Sequence, residues 1–197
     1  MMNANRLTAV DSGVDIRRMR TLIAEVIEDS GNFRPEWIAS RDWIVVPVES
    51  ADHFGKQDIE YLAAAFRRAG YDEFLAVATE SLENTPVCYR VPTTEAGLLE
   101  LNESIRNFQF ILLPEDKSCA VLCTKDDYYL MGGPLPFTLL ALKIPIAQAR
   151  VDFVRFAENT RHSQMRRGLL DVAARYEGTG PSGISGASSR QLLLPPS

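Results

Sequence analysis

Apolar residues recur at helical spacing in several parts of the chain. The first pattern follows a capping box, Ser12 to Asp15, and predicts a helix over 15–29 that stops before Gly31. The same spacing predicts further helices at Ile59–Phe66, after Thr93 or Thr94, over 137–142, and over 146–157 and 165–176. The last two stretches predict one long helix or two helices with a break near Asn159–His162.

Short apolar runs between these patterns predict strands. The run 43–48 contains Pro47, which has no N–H to donate and therefore favours an edge position or an earlier end of the strand at Val46. A second strand is predicted over 74–79 and a third over 87–91. Strand, helix and strand with short connections are typical of a βαβ unit, so we expect the first two strands to be parallel and right-handed.

The stretch from Phe108 to Pro134 predicts a three-stranded antiparallel meander. Its runs, Phe108–Leu113, Cys119–Thr124 and Tyr128–Met131, are separated by two short acidic segments whose length suits hairpin turns. The first two runs are apolar at odd and even positions, so we expect central strands that are covered on both faces. Gly132-Gly133 is expected to reverse the chain after the third run.

These elements predict an α+β domain with a mixed sheet of about five or six strands, including the meander, covered by about four to six helices. The single domain is expected to span 12–177. Residues 1–11 have no periodicity and predict a flexible N-terminus. Residues 178–197 are rich in Gly, Ser and Pro and predict a disordered tail.

Composition narrows the function classes. Of the 197 residues, 46% are apolar, which is enough to form a sizeable core, and the net charge is −5. Sixteen acids but only seven bases lie between Asp42 and Asp127, whereas 150–177 carries six arginines and four acids. Because an acidic body repels phosphate, we expect no nucleic-acid partner and a basic protein partner instead.

Apolar runs and cysteines indicate the cellular compartment. We expect no signal peptide and no membrane span, because no long apolar run occurs. The three cysteines are an odd and sparse set, which is typical of a reducing compartment, and we expect a cytoplasmic protein without a cofactor.

Motifs for catalysis or metal binding are weak. Glu115-Asp116 and Asp126-Asp127 suggest a cation site, but a strand of six residues separates the pairs by roughly 20 Å. Cys119 and Cys123 would lie about 13 Å apart on a strand and cannot bridge. We therefore expect no metal site and buried cysteines that act as small apolar residues.

The best candidate site is Asp126, Asp127, Tyr128 and Tyr129. Tyr128 and Tyr129 point to opposite faces of a strand, so we expect at most one in the core and the other ring at the surface. Tyrosine beside carboxylates suits a basic protein surface. The alternative is an ordinary edge strand whose acids discourage sheet-to-sheet pairing.

Three functions remain open. The first is a non-enzymatic protein-binding module with an acidic surface, of the kind found in small bacterial immunity or antitoxin proteins. The second is an enzyme or small-ligand protein with a site near Asp52 and His53, in a strand-to-helix loop. The third is a structural or assembly subunit, which predicts an exposed apolar stripe on the helices after Pro145. Oligomeric state does not follow from the sequence.

Overall fold

A computed structural model describes residues 6–50, 54–80, 87–105 and 108–180. The described residues form seven strands, β1 Thr8–Ala9, β2 Ile44–Glu49, β3 Glu73–Ala78, β4 Cys88–Pro92, β5 Phe110–Leu113, β6 Ala120–Cys123 and β7 Tyr128–Gly133. They also form seven helices, α1 Gly13–Val26, α2 Pro35–Ser40, α3 Lys56–Arg68, α4 Glu95–Ser104, α5 Leu135–Ala141, α6 Ile146–Asn159 and α7 Ser163–Tyr176. The predicted α+β class is confirmed, with slightly more strands and helices than expected. β1 lies within the segment 1–11, where no element was predicted.

The strands form one sheet in the order β1-β4-β3-β5-β6-β7-β2. β5, β6 and β7 pair antiparallel in sequence order, which confirms the predicted meander. β5 and β6 lie inside the sheet and are buried at every position, as their apolar runs predicted. β2 lies at one end of the sheet, which confirms the edge position that Pro47 indicated.

The predicted parallel direction of β2 and β3 is confirmed, because four antiparallel pairings lead from one strand to the other, but the two strands are not neighbours. β2 pairs antiparallel with β7, and β3 pairs antiparallel with β4 and β5. The described sheet is therefore antiparallel throughout rather than mixed. The physical reason is that the meander is apolar on both faces and occupies the centre, where helices cover both sides. It thereby separates β2 from β3, and α3 crosses over it.

Helices pack on both faces of the sheet. On one face α3, α4 and α5 contribute buried side chains to a common cluster that includes Leu62, Leu98 and Phe137. On the other face α1, α6 and α7 contribute to a second cluster that includes Met19, Phe153 and Leu169. Because both faces are covered, alternate residues of β5, β6 and β7 enter one cluster or the other.

Helix boundaries follow local chemistry. Ser12 Oγ accepts a hydrogen bond from the Asp15 N–H, so the predicted N-cap of α1 is present. Thr94 caps α4 by accepting from the Gly97 N–H at 3.0 Å. α6 ends at Asn159 and α7 begins at Ser163, which confirms the alternative of two helices after Pro145.

Gly132 and Gly133 do not reverse the chain, and that prediction is wrong. Both belong to β7. A Cβ on Gly132 would lie 2.9 Å from Phe33 Cε2, and a Cβ on Gly133 would lie 2.8 Å from Phe137 Cδ1. The missing side chains allow aromatic rings to pack directly on the strand from opposite faces.

Candidate protein-binding surface

The four predicted binding residues lie where β6 turns into β7. We call residues 124–128 the Asp126 turn. The Asp126 N–H donates to Thr124 Oγ1 at 3.3 Å, and Thr124 Oγ1 donates to the Tyr128 carbonyl at 2.7 Å. The Thr124 N–H donates to the same carbonyl at 3.1 Å. These bonds hold the backbone of the turn while its tip is exposed.

Asp127 shapes the tip of the Asp126 turn. Its φ of 57° lies in the left-handed region, which Asp tolerates better than most residues. Its carbonyl accepts from the Ser50 N–H at 2.8 Å, at the end of the neighbouring strand β2. Among the described residues, neither the Asp126 nor the Asp127 carboxylate has an ion-pair partner. The turn therefore presents two exposed negative charges on a held backbone.

The expectation that one tyrosine ring lies at the surface is wrong. Tyr128 is 8% exposed and Tyr129 is 2% exposed. The two rings do point to opposite faces of the sheet, as alternation predicted, but both faces are covered. The Tyr128 ring meets Phe153 of α6 edge-on, with 5.5 Å between ring centres. The centre of the Tyr129 ring lies 5.5 Å from that of Phe54. Neither ring is free to contact a partner broadside.

Burial also sets the ionisation of both phenols. Desolvation, with a contribution from the charge of Asp126, raises the pKa of Tyr128 to about 12. Desolvation and the nearby Asp58 carboxylate raise the pKa of Tyr129 well above its ordinary value. Both side chains are therefore neutral at physiological pH, and neither is activated as a base or nucleophile.

A groove of about 590 Å³ lies beside the Asp126 turn. We call it the Tyr128 groove, and its lining includes Asp126, Tyr128, His162, Met165 and Leu169. The sequence interpretation assigned no binding role to the residues from α7. No local pattern indicated them, because the lining depends on how α7 docks; Gly168 also lines the groove, and a Cβ there would meet nothing within 4 Å.

The other acidic turn of the meander is engaged internally. Glu115 forms ion pairs with Arg18 at 2.9 Å and with Arg90 at 3.0 Å. Asp116 accepts from the Tyr71 hydroxyl at 2.7 Å and from the Ser118 N–H at 3.0 Å. In the first acidic turn, Glu115 is thus paired with arginines and Asp116 is hydrogen-bonded within the fold, in contrast to the Asp126 turn.

Asp52 and His53, the alternative site, lie outside the described residues. Close to them in sequence, Asp58 accepts from the Gly55 N–H at 3.0 Å and from the Tyr129 hydroxyl at 3.3 Å. Lys143 completes the cluster with an ion pair to Asp58 at 3.2 Å. These contacts cap α3 and connect it to the sheet and to the segment between α5 and α6, a structural role.

Thiol and metal chemistry find no support in the part of the chain that the structure describes. Cys88, Cys119 and Cys123 are buried and unbridged. Burial raises the pKa of the Cys88 thiol to about 11 and that of the Cys119 thiol to about 12. The described residues contain no group of three potential ligands that could hold a metal ion.

The apolar stripe predicted after Pro145 is reduced to a single large side chain. Among the described residues beyond Pro145, only Val151 is an exposed large apolar residue, at 53%. Most other apolar side chains of α6 and α7 pack into or against the core, and partly exposed ones, such as Val154 and Leu170, line a groove between the two helices. The accessible apolar surface of these helices therefore lies mainly at Val151 and in this groove and does not form a stripe.

No protein-family model, curated protein or solved structure matches the chain. Within the described ranges, no helix has both the length and the apolar character to cross a membrane. Function must therefore be inferred from the residues and their geometry.

Proposed function

We propose that the protein is a non-enzymatic binding module that takes a basic segment of a partner protein at the Asp126 turn and the adjoining Tyr128 groove. The carrying observation is the contrast between the two acidic turns of the meander. Glu115 and Asp116 are satisfied by internal partners, whereas Asp126 and Asp127 have no ion-pair partner among the described residues. Unpaired carboxylates on a held backbone are available to an external cation without first breaking an internal pair.

The Tyr128 groove adds an apolar component to this charge. Met165, Leu169 and the edge of Tyr128 line it, and Asp126 stands at its side. A segment with an arginine or lysine next to an apolar side chain matches both parts, because the cation meets the carboxylates while the apolar group enters the groove. Tyr128 thus supports the site as a buried wall rather than as an exposed ring.

The partner class follows from charge. The excess of acids between Asp42 and Asp127 attracts a basic protein and repels a nucleic-acid backbone. A small acidic protein that neutralises a basic toxin, of the immunity or antitoxin type, is the class that these features suit. The sparse, unbridged cysteines agree with a cytoplasmic setting for such a module.

The test compares two charge-matched variants of the full chain. Asp126→Asn with Asp127→Asn removes both carboxylates, and Asn is also tolerated at the left-handed φ of residue 127. The control, Glu60→Gln with Glu103→Gln, makes the same charge change on exposed positions of α3 and α4, on the opposite face of the sheet.

Both variants and the unmodified protein are used in quantitative pull-downs from the native cell. We expect basic proteins captured by the unmodified chain to be lost with the Asp126/Asp127 variant and retained with the Glu60/Glu103 variant. With a purified partner, two exposed charge pairs at about 1 kcal/mol each predict roughly 30-fold weaker binding. Added salt should weaken the unmodified complex more than the variant complex. Equal capture by both variants would overturn the proposal.

A further inference from the structure

A second groove, of about 710 Å³, runs between α6 and α7 beside the edge strand β2. We call it the Val151 groove. Its apolar lining comes from short aliphatic side chains, including Val151, Val154, Leu170 and Ala173, and from Pro47. Two carboxylates, Glu158 and Glu177, and two guanidinium groups, Arg150 and Arg155, also line it. It lies on the side of α7 away from the Tyr128 groove, so the inference is independent of the proposed function.

The described part of the chain ends close to this groove. Thr179 is held against the edge of β2, because its Oγ1 accepts from the Val45 N–H at 2.9 Å. Arg150, itself a lining residue of the Val151 groove, donates from Nη2 to the Thr179 carbonyl at 3.2 Å. Residues 181–197 therefore start beside the groove.

The outer edge of β2 offers few backbone N–H and C=O groups for pairing with an added strand. Successive residues of a strand point their N–H and C=O groups alternately to the two sides. Since the Val45 N–H meets Thr179 at the outer side, position 47 also faces outward, and Pro47 has no N–H to offer. Pairing as an eighth strand is thus blocked two residues beyond Val45. The Val151 groove, of about 710 Å³, is larger than the neighbouring groove of about 310 Å³ that Gly178, Thr179 and Gly180 themselves line.

Residues 181–197 carry one segment that matches this surface. Leu192, Leu193 and Leu194 form their longest apolar run, and Arg190 is their only charged side chain. Eleven residues lie between Gly180 and Leu192, and the twelve Cα–Cα steps span up to about 40 Å when extended. A helix of 14 residues is about 21 Å long, so every part of the groove is within reach.

We propose that residues 190–194 of the same chain occupy the Val151 groove, with the leucines against the aliphatic lining and Arg190 paired with Glu158 or Glu177. Because the segment is tethered next to the groove, docking within one chain is favoured over docking between chains by the high effective concentration of a short linker. The segment then covers the exposed side chain of Val151.

Paramagnetic relaxation enhancement in the full chain tests the proposal. Ser188→Cys carries a nitroxide label, and the native thiols compete poorly because they are buried. We expect strong broadening of the amide resonances of Val151, Val154 and Ala174, and none at Leu99 on the opposite face of the sheet. Broadening without this preference would overturn the proposal.

A mixed sample distinguishes a second copy from the same chain. The sample contains one chain that carries the nitroxide but no isotope and another that carries the isotope but no nitroxide. We expect no broadening of the groove resonances in this mixture. Broadening there would assign the groove to the segment of a second copy and overturn docking within one chain.

Matched variants of the labelled chain locate both sides of the contact. Replacing all three leucines, Leu192→Ser, Leu193→Ser and Leu194→Ser, should abolish the broadening, whereas Ile184→Ser should retain it. Val151→Glu should abolish it, whereas Val14→Glu, at a similarly exposed position on α1, should retain it. Equal loss with test and control variants would overturn the assignment.

Discussion

At the scale of single residues, two glycines show that the same residue type can be required by packing at one position and not at another. Gly132 lies in β7 under the rings of Phe33 and Trp43, where a Cβ would come within 2.9 Å and 3.0 Å of ring carbons. Gly168 lies in the middle of α7, and a Cβ there would meet nothing within 4 Å. One glycine is required by packing and the other only weakens its helix.

We therefore predict opposite effects for the same substitution. Gly132→Ala should lower the free energy of unfolding by about 1–3 kcal/mol, because the aromatic rings must move. Gly168→Ala should raise it by up to about 1 kcal/mol, because alanine favours the helix. Chemical denaturation of both variants measures the two values. A Gly132→Ala protein as stable as the unmodified one would contradict the close packing.

The tyrosines show what residue patterns can and cannot predict. Alternation correctly placed Tyr128 and Tyr129 on opposite faces of their strand. It could not predict that both are buried, because the cover over Tyr128 comes from Phe153 of α6, 25 positions later in the sequence. The lining of the Tyr128 groove by α7 escaped the sequence interpretation for the same reason, since it depends on helix docking rather than on any local pattern.

At the scale of elements, local chemistry predicted individual strands and helices better than their arrangement. The meander, the edge position of β2 and the break between α6 and α7 follow from turn residues, Pro47 and the interrupted apolar period. The order of strands does not, because a strand–helix–strand sequence is compatible with adjacent strands and with a crossover over the meander. Burial of the meander on both faces decides between them.

The Thr179 hydroxyl covers the outer edge of β2 at Val45. Thr179→Val removes the hydroxyl that accepts from the Val45 N–H, and a buried donor without a partner costs about 1–3 kcal/mol. We expect faster amide hydrogen exchange at Val45 and a lower free energy of unfolding. Thr179→Ser keeps the hydroxyl and should preserve most of both. Unchanged exchange in Thr179→Val would show that the bond does not protect the edge.

At the scale of the whole molecule, buried phenols and thiols make stability sensitive to alkali. Burial is the largest cause that raises the pKa of Tyr71, Tyr128 and Tyr176 to about 12, from an ordinary value of 10.0. It raises the pKa of Cys88 to about 11 from 9.0. In each case the fold favours the neutral form, so this stabilisation is complete below the unfolded-state pKa and is lost as the pH rises towards the folded-state pKa.

We therefore expect the free energy of unfolding to begin falling near pH 9, as thiols titrate in the unfolded chain, and to fall more steeply above pH 10. Denaturation at a series of pH values, with tyrosinate absorbance recorded in parallel, measures this. Tyr128→Phe should flatten the profile, because it removes one of the shifted phenols. A stability that stays constant between pH 9 and pH 12 would contradict the burial of these groups.

Both tryptophans of the protein lie in one corner, and this gives the molecule a local optical reporter. Trp37 and Trp43 meet edge-on with 6.1 Å between ring centres, and the Arg41 guanidinium stands over Trp37 at 4.5 Å. Trp43 also contacts Phe33 beneath the glycine of β7. Intrinsic tryptophan fluorescence will therefore report on the start of β2, whereas binding at the Asp126 turn, beside the other end of β2, requires a dye attached near that turn.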